Sequence, residues 1–80
     1  MSKTLSDPRY ICIIAQLKKA RIAEKLSQAE LSLRLGKPQS FVSKYETNER
    51  RLDIVELILI CAALHISISE VLPTELKKFV

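Results

Sequence analysis

The sequence predicts an all-α protein, a compact bundle of five helices, and three observations carry that reading. Leu, Ile, Lys, Glu and Ala dominate the 80 residues while Thr and the aromatics are few, which favours helices over strands. Apolar residues recur at three- and four-residue steps, as in Tyr10, Ile13, Ile14, Leu17 and Ala20. Three capping boxes, each a Ser or Asp followed three residues later by Glu, open at Ser27, Asp53 and Ser67.

The elements follow in order. Asp7-Pro8 reads as an N-cap with proline at the first helical position, so helix one is expected over residues 8–25. Ser27 to Glu30 opens helix two, which carries Ala29, Leu31 and Leu35 and stops at Gly36, the single glycine of the chain. Pro38 restarts the chain into helix three, with Val42 and Tyr45 facing back toward Leu31 and Leu35. Its remaining positions, Gln39, Ser40, Ser43, Lys44 and Thr47, are small or polar and none is acidic. Asp53 caps helix four. Leu57, Ile60, Cys61 and Leu64 form its core stripe, and Val55, Ile58, Leu59 and Ala62 make its other sides apolar too. Ser67 opens a short fifth helix that Pro73 stops. Residues 1–80 are read as one domain with its core in residues 8–72 and a weakly helical tail over 73–80.

Charge is unevenly placed. The chain carries a formal +4, and residues 18–51 hold nine Lys or Arg against four Glu. From Leu52 onward two Lys face one Asp and three Glu. A basic middle followed by an apolar, mildly acidic third suggests a polyanion-binding face and a separate packing face. Cys12 and Cys61 lack metal-ligand spacing and read as reduced core thiols, so no metal is expected. With one His, no phosphate-cradling glycine loop and no Ser–His–acid set, an enzyme is not expected, and neither is a cofactor or a small-molecule ligand. Residues 1–6 are short and polar and lack the form of a signal peptide, and the longest apolar run, residues 57–64, is too short to span a bilayer. A cytoplasmic protein without a membrane partner is the expectation.

Residues 28–47 are the informative unit: two short helices joined by a tight glycine turn, with small Ser32 where they would cross steeply. Such a pair lets its second helix protrude while the first lies alongside, the arrangement needed to enter a DNA major groove. In LSQAELSLRLGKPQSFVSKYE, followed by NERRLDIVEL and ALHISISEVL, the chain resembles the Xre/Cro-type helix-turn-helix regulators, which include lambdoid phage repressors and restriction–modification controllers. The resemblance runs over residues 10–72. It implies a lambda-repressor-like bundle of five helices with the third as recognition helix.

Residue by residue, the resemblance places Gln28 on a DNA phosphate and Gln39, Ser40, Ser43 and Lys44 on base edges or the flanking backbone. Gln39 is the foremost base reader, because its amide can pair bidentately with adenine. Lys37, Phe41, Thr47 and Asn48 are expected at the DNA backbone, Phe41 through partial exposure against sugar or phosphate, with a place in the core as the alternative for Phe41. Arg50 and Arg51 stand just after helix three, where phosphate contact and plain surface charge are both open. Arg21 and Glu46 match a structural ion pair. The sequence departs from the usual pattern at Pro38, in place of a Ser or Thr cap, at Ser32, in place of alanine, and at Tyr45, in place of an aliphatic residue. Lys25 and His65 stand where glycine is frequent after a helix.

A homodimer on a dyad-symmetric operator is the expected assembly, joined through Val55, Ile58, Leu59, Ala62 and Ile66, with repression of transcription as the expected outcome. Cover of that apolar face by the tail stays open. So does a second use of the same bundle, as a protein-interaction module such as an antitoxin or partner adaptor.

Overall fold

A computed structural model describes residues 7–80. Its helices are α1 (Pro8–Ala23), α2 (Gln28–Arg34), α3 (Phe41–Glu46), α4 (Ile54–Ala63), α5 (Ile68–Val71) and α6 (Thr74–Lys77). Among the described residues the fold is all-helical. The expectations for residues 1–6 lie outside the described residues.

Helix starts follow the chemistry of the caps. The Asp7 carboxylate accepts the Arg9 N–H at 2.9 Å, with Pro8 behind it. Ser27 Oγ accepts the Glu30 N–H at 3.0 Å while Glu30 takes the Ser27 N–H at 2.8 Å. The same exchange joins Asp53 and Glu56 at 2.7 and 3.0 Å. At α5 the Glu70 carboxylate accepts the Ser67 N–H at 2.6 Å and its hydroxyl at 3.0 Å.

Helix ends share one device. Lys25, Gly36, Asn48 and His65 all have positive φ, between 59° and 68°. Each is followed by a residue whose N–H returns to a carbonyl in the last turn: Leu26 to Arg21, Lys37 to Ser32, Glu49 to Lys44 and Ile66 to Cys61. These are Schellman turns, and glycine serves only one of them. The chain therefore turns sharply four times, and α1 to α5 fold back around a shared interior. Leu17, Leu31, Val42, Tyr45, Ile60, Leu64 and Val71 are its fully enclosed hydrophobic side chains. α3 packs on α2 and α1, whereas α4 packs chiefly on α5, which in turn lies on α1.

Several expectations need correction. The first helix ends at Ala23, not Lys25, because Lys25 takes the left-handed turn. The tail folds one extra turn, α6, making six helices among the described residues. The third helix starts at Phe41, three residues beyond Pro38, whose carbonyl accepts the Phe41 N–H at 2.9 Å. α4 leaves one side uncovered by the described residues, with Ile54, Val55, Ile58 and Leu59 each at least half exposed. No helix among the described residues is long and apolar enough to cross a membrane.

Candidate nucleic-acid interface

The α2–α3 pair is locked by polar groups as well as packing. α3 has no side-chain cap of its own, since Ser40 makes no capping bond. Instead Ser32, fully buried on α2, accepts the Val42 N–H at 3.1 Å. That N–H is one of the donors a helix start leaves without a partner. The departures at Pro38 and Ser32 are thus linked: the cap missing at the start of α3 is supplied across the turn.

The far end of α3 is held by Arg21. Its Nε and Nη2 donate to Glu46 at 2.8 and 3.1 Å, and its Nη1 donates to the Leu26 carbonyl at 2.7 Å. Arg21 is buried and Glu46 Oε1 also accepts the Gln28 side-chain amide at 3.0 Å. Gln28 is half-buried and so held in place, with a second N–H left on the same nitrogen. Arg21 belongs to the scaffold.

At the near end a second cluster forms. Arg50 donates from Nη1 and Nη2 to the two Glu56 oxygens at 2.8 and 2.7 Å, and Lys37 Nζ lies 3.7 Å from Glu56 Oε2. The Arg50 guanidinium beside Glu56 holds that carboxyl well below the usual range, at about 2. Lys37 and Arg50 also sit over the Phe41 ring, 5.4 and 5.1 Å from its centre.

The expected contact residues divide accordingly. Gln39, Ser40 and Lys44 are exposed, and Ser43 is half-buried on the same short helix as Lys44. Gln39 and Ser40 precede the first turn of α3 and lie in the turn leading into it. Phe41 is corrected outright. It is only 6% exposed, packs edge-on against Tyr45 at 5.5 Å, and joins the core instead of facing sugar or phosphate. Lys37 is exposed beside α3, and Thr47 is exposed with its hydroxyl within reach of the Ser43 carbonyl and the Glu49 carboxylate at 3.0 and 2.8 Å. Asn48 is half-buried in the left-handed turn with its Oδ1 turned inward. Arg51 is exposed and stacks on Tyr10, 4.7 Å from the ring centre. Of the apolar residues assigned to an interface, Val55, Ile58, Leu59 and Ala62 are exposed, whereas Ile66 is half-buried and leans on the core.

Two features escaped the sequence reading. Phe41 and Tyr45 are four apart on one helix and so share a face, a signal that could have placed Phe41 inside. Glu56 was read only as a capping residue, and nothing in the spacing of Arg50 and Glu56 announces their pairing.

Two short helices joined by a glycine turn, the second locked by Ser32 of the first and bearing a polar exposed edge, have the build of a helix-turn-helix. The profile described as helix-turn-helix matches residues 17–71, and the chain belongs to that family, of Xre/Cro type. No curated protein matches the chain.

Proposed function

We propose that the protein is a sequence-specific transcriptional regulator that binds a dyad-symmetric operator as a homodimer, and that it acts in the cytoplasm as a repressor. α3 enters the major groove, with Gln39, Ser40, Ser43 and Lys44 at base edges. Gln28, Lys37, Thr47, Asn48 and Arg51 take the flanking backbone, with no cofactor or small-molecule ligand. One observation carries this reading. Gln39, Ser40 and Lys44 stand exposed, and Ser43 half-buried, on a stretch whose apolar residues, Phe41, Val42 and Tyr45, are buried and whose backbone is fixed by Ser32.

The dimer rests on a second observation: Ile54, Val55, Ile58 and Leu59 form a contiguous apolar face that the described residues leave uncovered. Two copies joined there would present their α3 helices to half-sites about 34 Å apart, one turn of DNA. Sedimentation of the pure protein, beside titration of labelled genomic duplexes at several salt concentrations, tests both parts. A dimer whose affinity falls steeply with salt is expected.

The same apolar face favours a second reading, in which the bundle is chiefly a protein-interaction module such as an antitoxin. A tight heteromer without sequence-selective binding in that titration would decide for it.

A further inference from the structure

We propose that Glu56 is the positioning residue of the recognition helix, tying α3 to the apolar face of α4 so that helix and face keep one fixed relation. The inference rests on the DNA-binding reading above. Glu56 lies in the first turn of α4, next to exposed Val55 and two residues before Ile58. Its buried carboxylate gathers cations from both sides of α3: Lys37, 3.7 Å away, from the turn before that helix, and Arg50, at 2.7 Å, from the turn after it. Both cations also rest on Phe41, the first residue of α3. A single side chain on α4 thus ties together the turns before and after a six-residue helix.

The chemistry of the residue supports a role beyond the cap. A capping box is satisfied equally by Gln or Glu. Only a carboxylate matches the guanidinium fork, and here each oxygen takes one Arg50 nitrogen. The helix packing says why such a tie matters. α3 packs on α1 and α2 and α4 packs chiefly on α5, so Glu56 adds a direct polar link between the turns flanking α3 and the start of α4. With two copies joined through α4, the separation of the two α3 helices depends on the angle between α3 and α4 within each copy. Arg50 in this account is a member of that tie and makes no phosphate contact.

The test uses the full chain and DNA duplexes carrying the half-site that the wild type selects from a random pool, as inverted repeats whose spacing varies in single base-pair steps. The wild type binds best at one spacing. Glu56→Gln keeps the cap acceptor and the volume but loses the fork. It lowers affinity at the best spacing by about tenfold and flattens the preference between neighbouring spacings, while sedimentation still reports a dimer. Arg50→Lys, which keeps the charge and loses the bidentate geometry, flattens the same profile and serves if Glu56→Gln does not fold. A wild-type spacing profile in either folded variant, even with reduced thermal stability, overturns the proposal. A wild type that selects no half-site overturns the DNA-binding reading and this inference with it.

Discussion

Ser32 on α2 caps the first turn of α3 through space: its Oγ accepts the Val42 N–H at 3.1 Å across a ten-residue separation. The hydroxyl is fully enclosed, so no solvent stands ready to replace it. Ser32→Ala should therefore destabilise the protein by about 1–2 kcal/mol, the usual cost of losing a cap and stranding a buried donor. Chemical denaturation measures this, and an unchanged midpoint would remove Ser32 from the account.

The left-handed turns make a prediction of opposite sign. Lys25 and His65 hold φ of 59° with side chains that gain nothing from that backbone, and both are exposed. Lys25→Gly and His65→Gly relieve a strain of about 1 kcal/mol each, partly offset by the greater freedom of glycine in the unfolded chain. Each should raise stability by up to about 0.5–1 kcal/mol. Gly36→Ala should cost about 1 kcal/mol through φ alone, because no atom lies within 4 Å of an added Cβ. Melting temperatures of the three variants check the pattern.

Arg21 and Glu46 are nearly closed off from solvent, with 10% and 2% of their side chains exposed. Removing one partner leaves a buried charge uncompensated. Arg21→Met should cost about 3–5 kcal/mol and also release Gln28, which shares Glu46 Oε1. Thermal unfolding followed by circular dichroism reads the loss. A variant as stable as the wild type would mean that the pair is ornamental.

Acid sensitivity follows from Glu56. Its carboxyl is depressed from 4.5 to about 2, chiefly by hydrogen bonding from Arg50. A carboxyl depressed in the folded state gives its full stabilisation above its unfolded value. That stabilisation fades as pH falls from about 4.5 through about 2. With Arg50 partly solvated, the contribution is roughly 1–2 kcal/mol. Glu56→Gln should therefore flatten stability against pH in that window, as urea titrations at stepped pH would read.

The buried Tyr45 hydroxyl finds no hydrogen-bond partner among the described residues, and burial pushes its phenol pKa up. Tyr45→Phe removes a desolvated donor without changing the packing, so stability should rise by about 1 kcal/mol. A fall in the denaturation midpoint would show the hydroxyl to be satisfied.

What the sequence made legible was what local chemistry decides. Asp7, Ser27, Asp53 and Ser67 each announce a helix start because the partner sits two or three residues away. Gly36 announces a turn because glycine alone takes positive φ freely. The start of α3 was misplaced at Pro38 because its real cap, Ser32, is contributed by a different helix. Phe41 looked like surface because Lys37 and Arg50, which cover its ring, come from either side of the helix and meet only after the turn at Asn48 is made. Long-range partners of this kind leave no spacing to read.

The most direct measurement selects duplexes from a random pool with the wild type and with Gln39→Ala. The wild type should enrich an inverted repeat, and the variant should lose its preference at one base pair per half-site, at about 1–3 kcal/mol, with the rest of the motif kept. Enrichment of nothing by the wild type, or an identical motif from both proteins, would contradict the assignment of that edge to reading DNA.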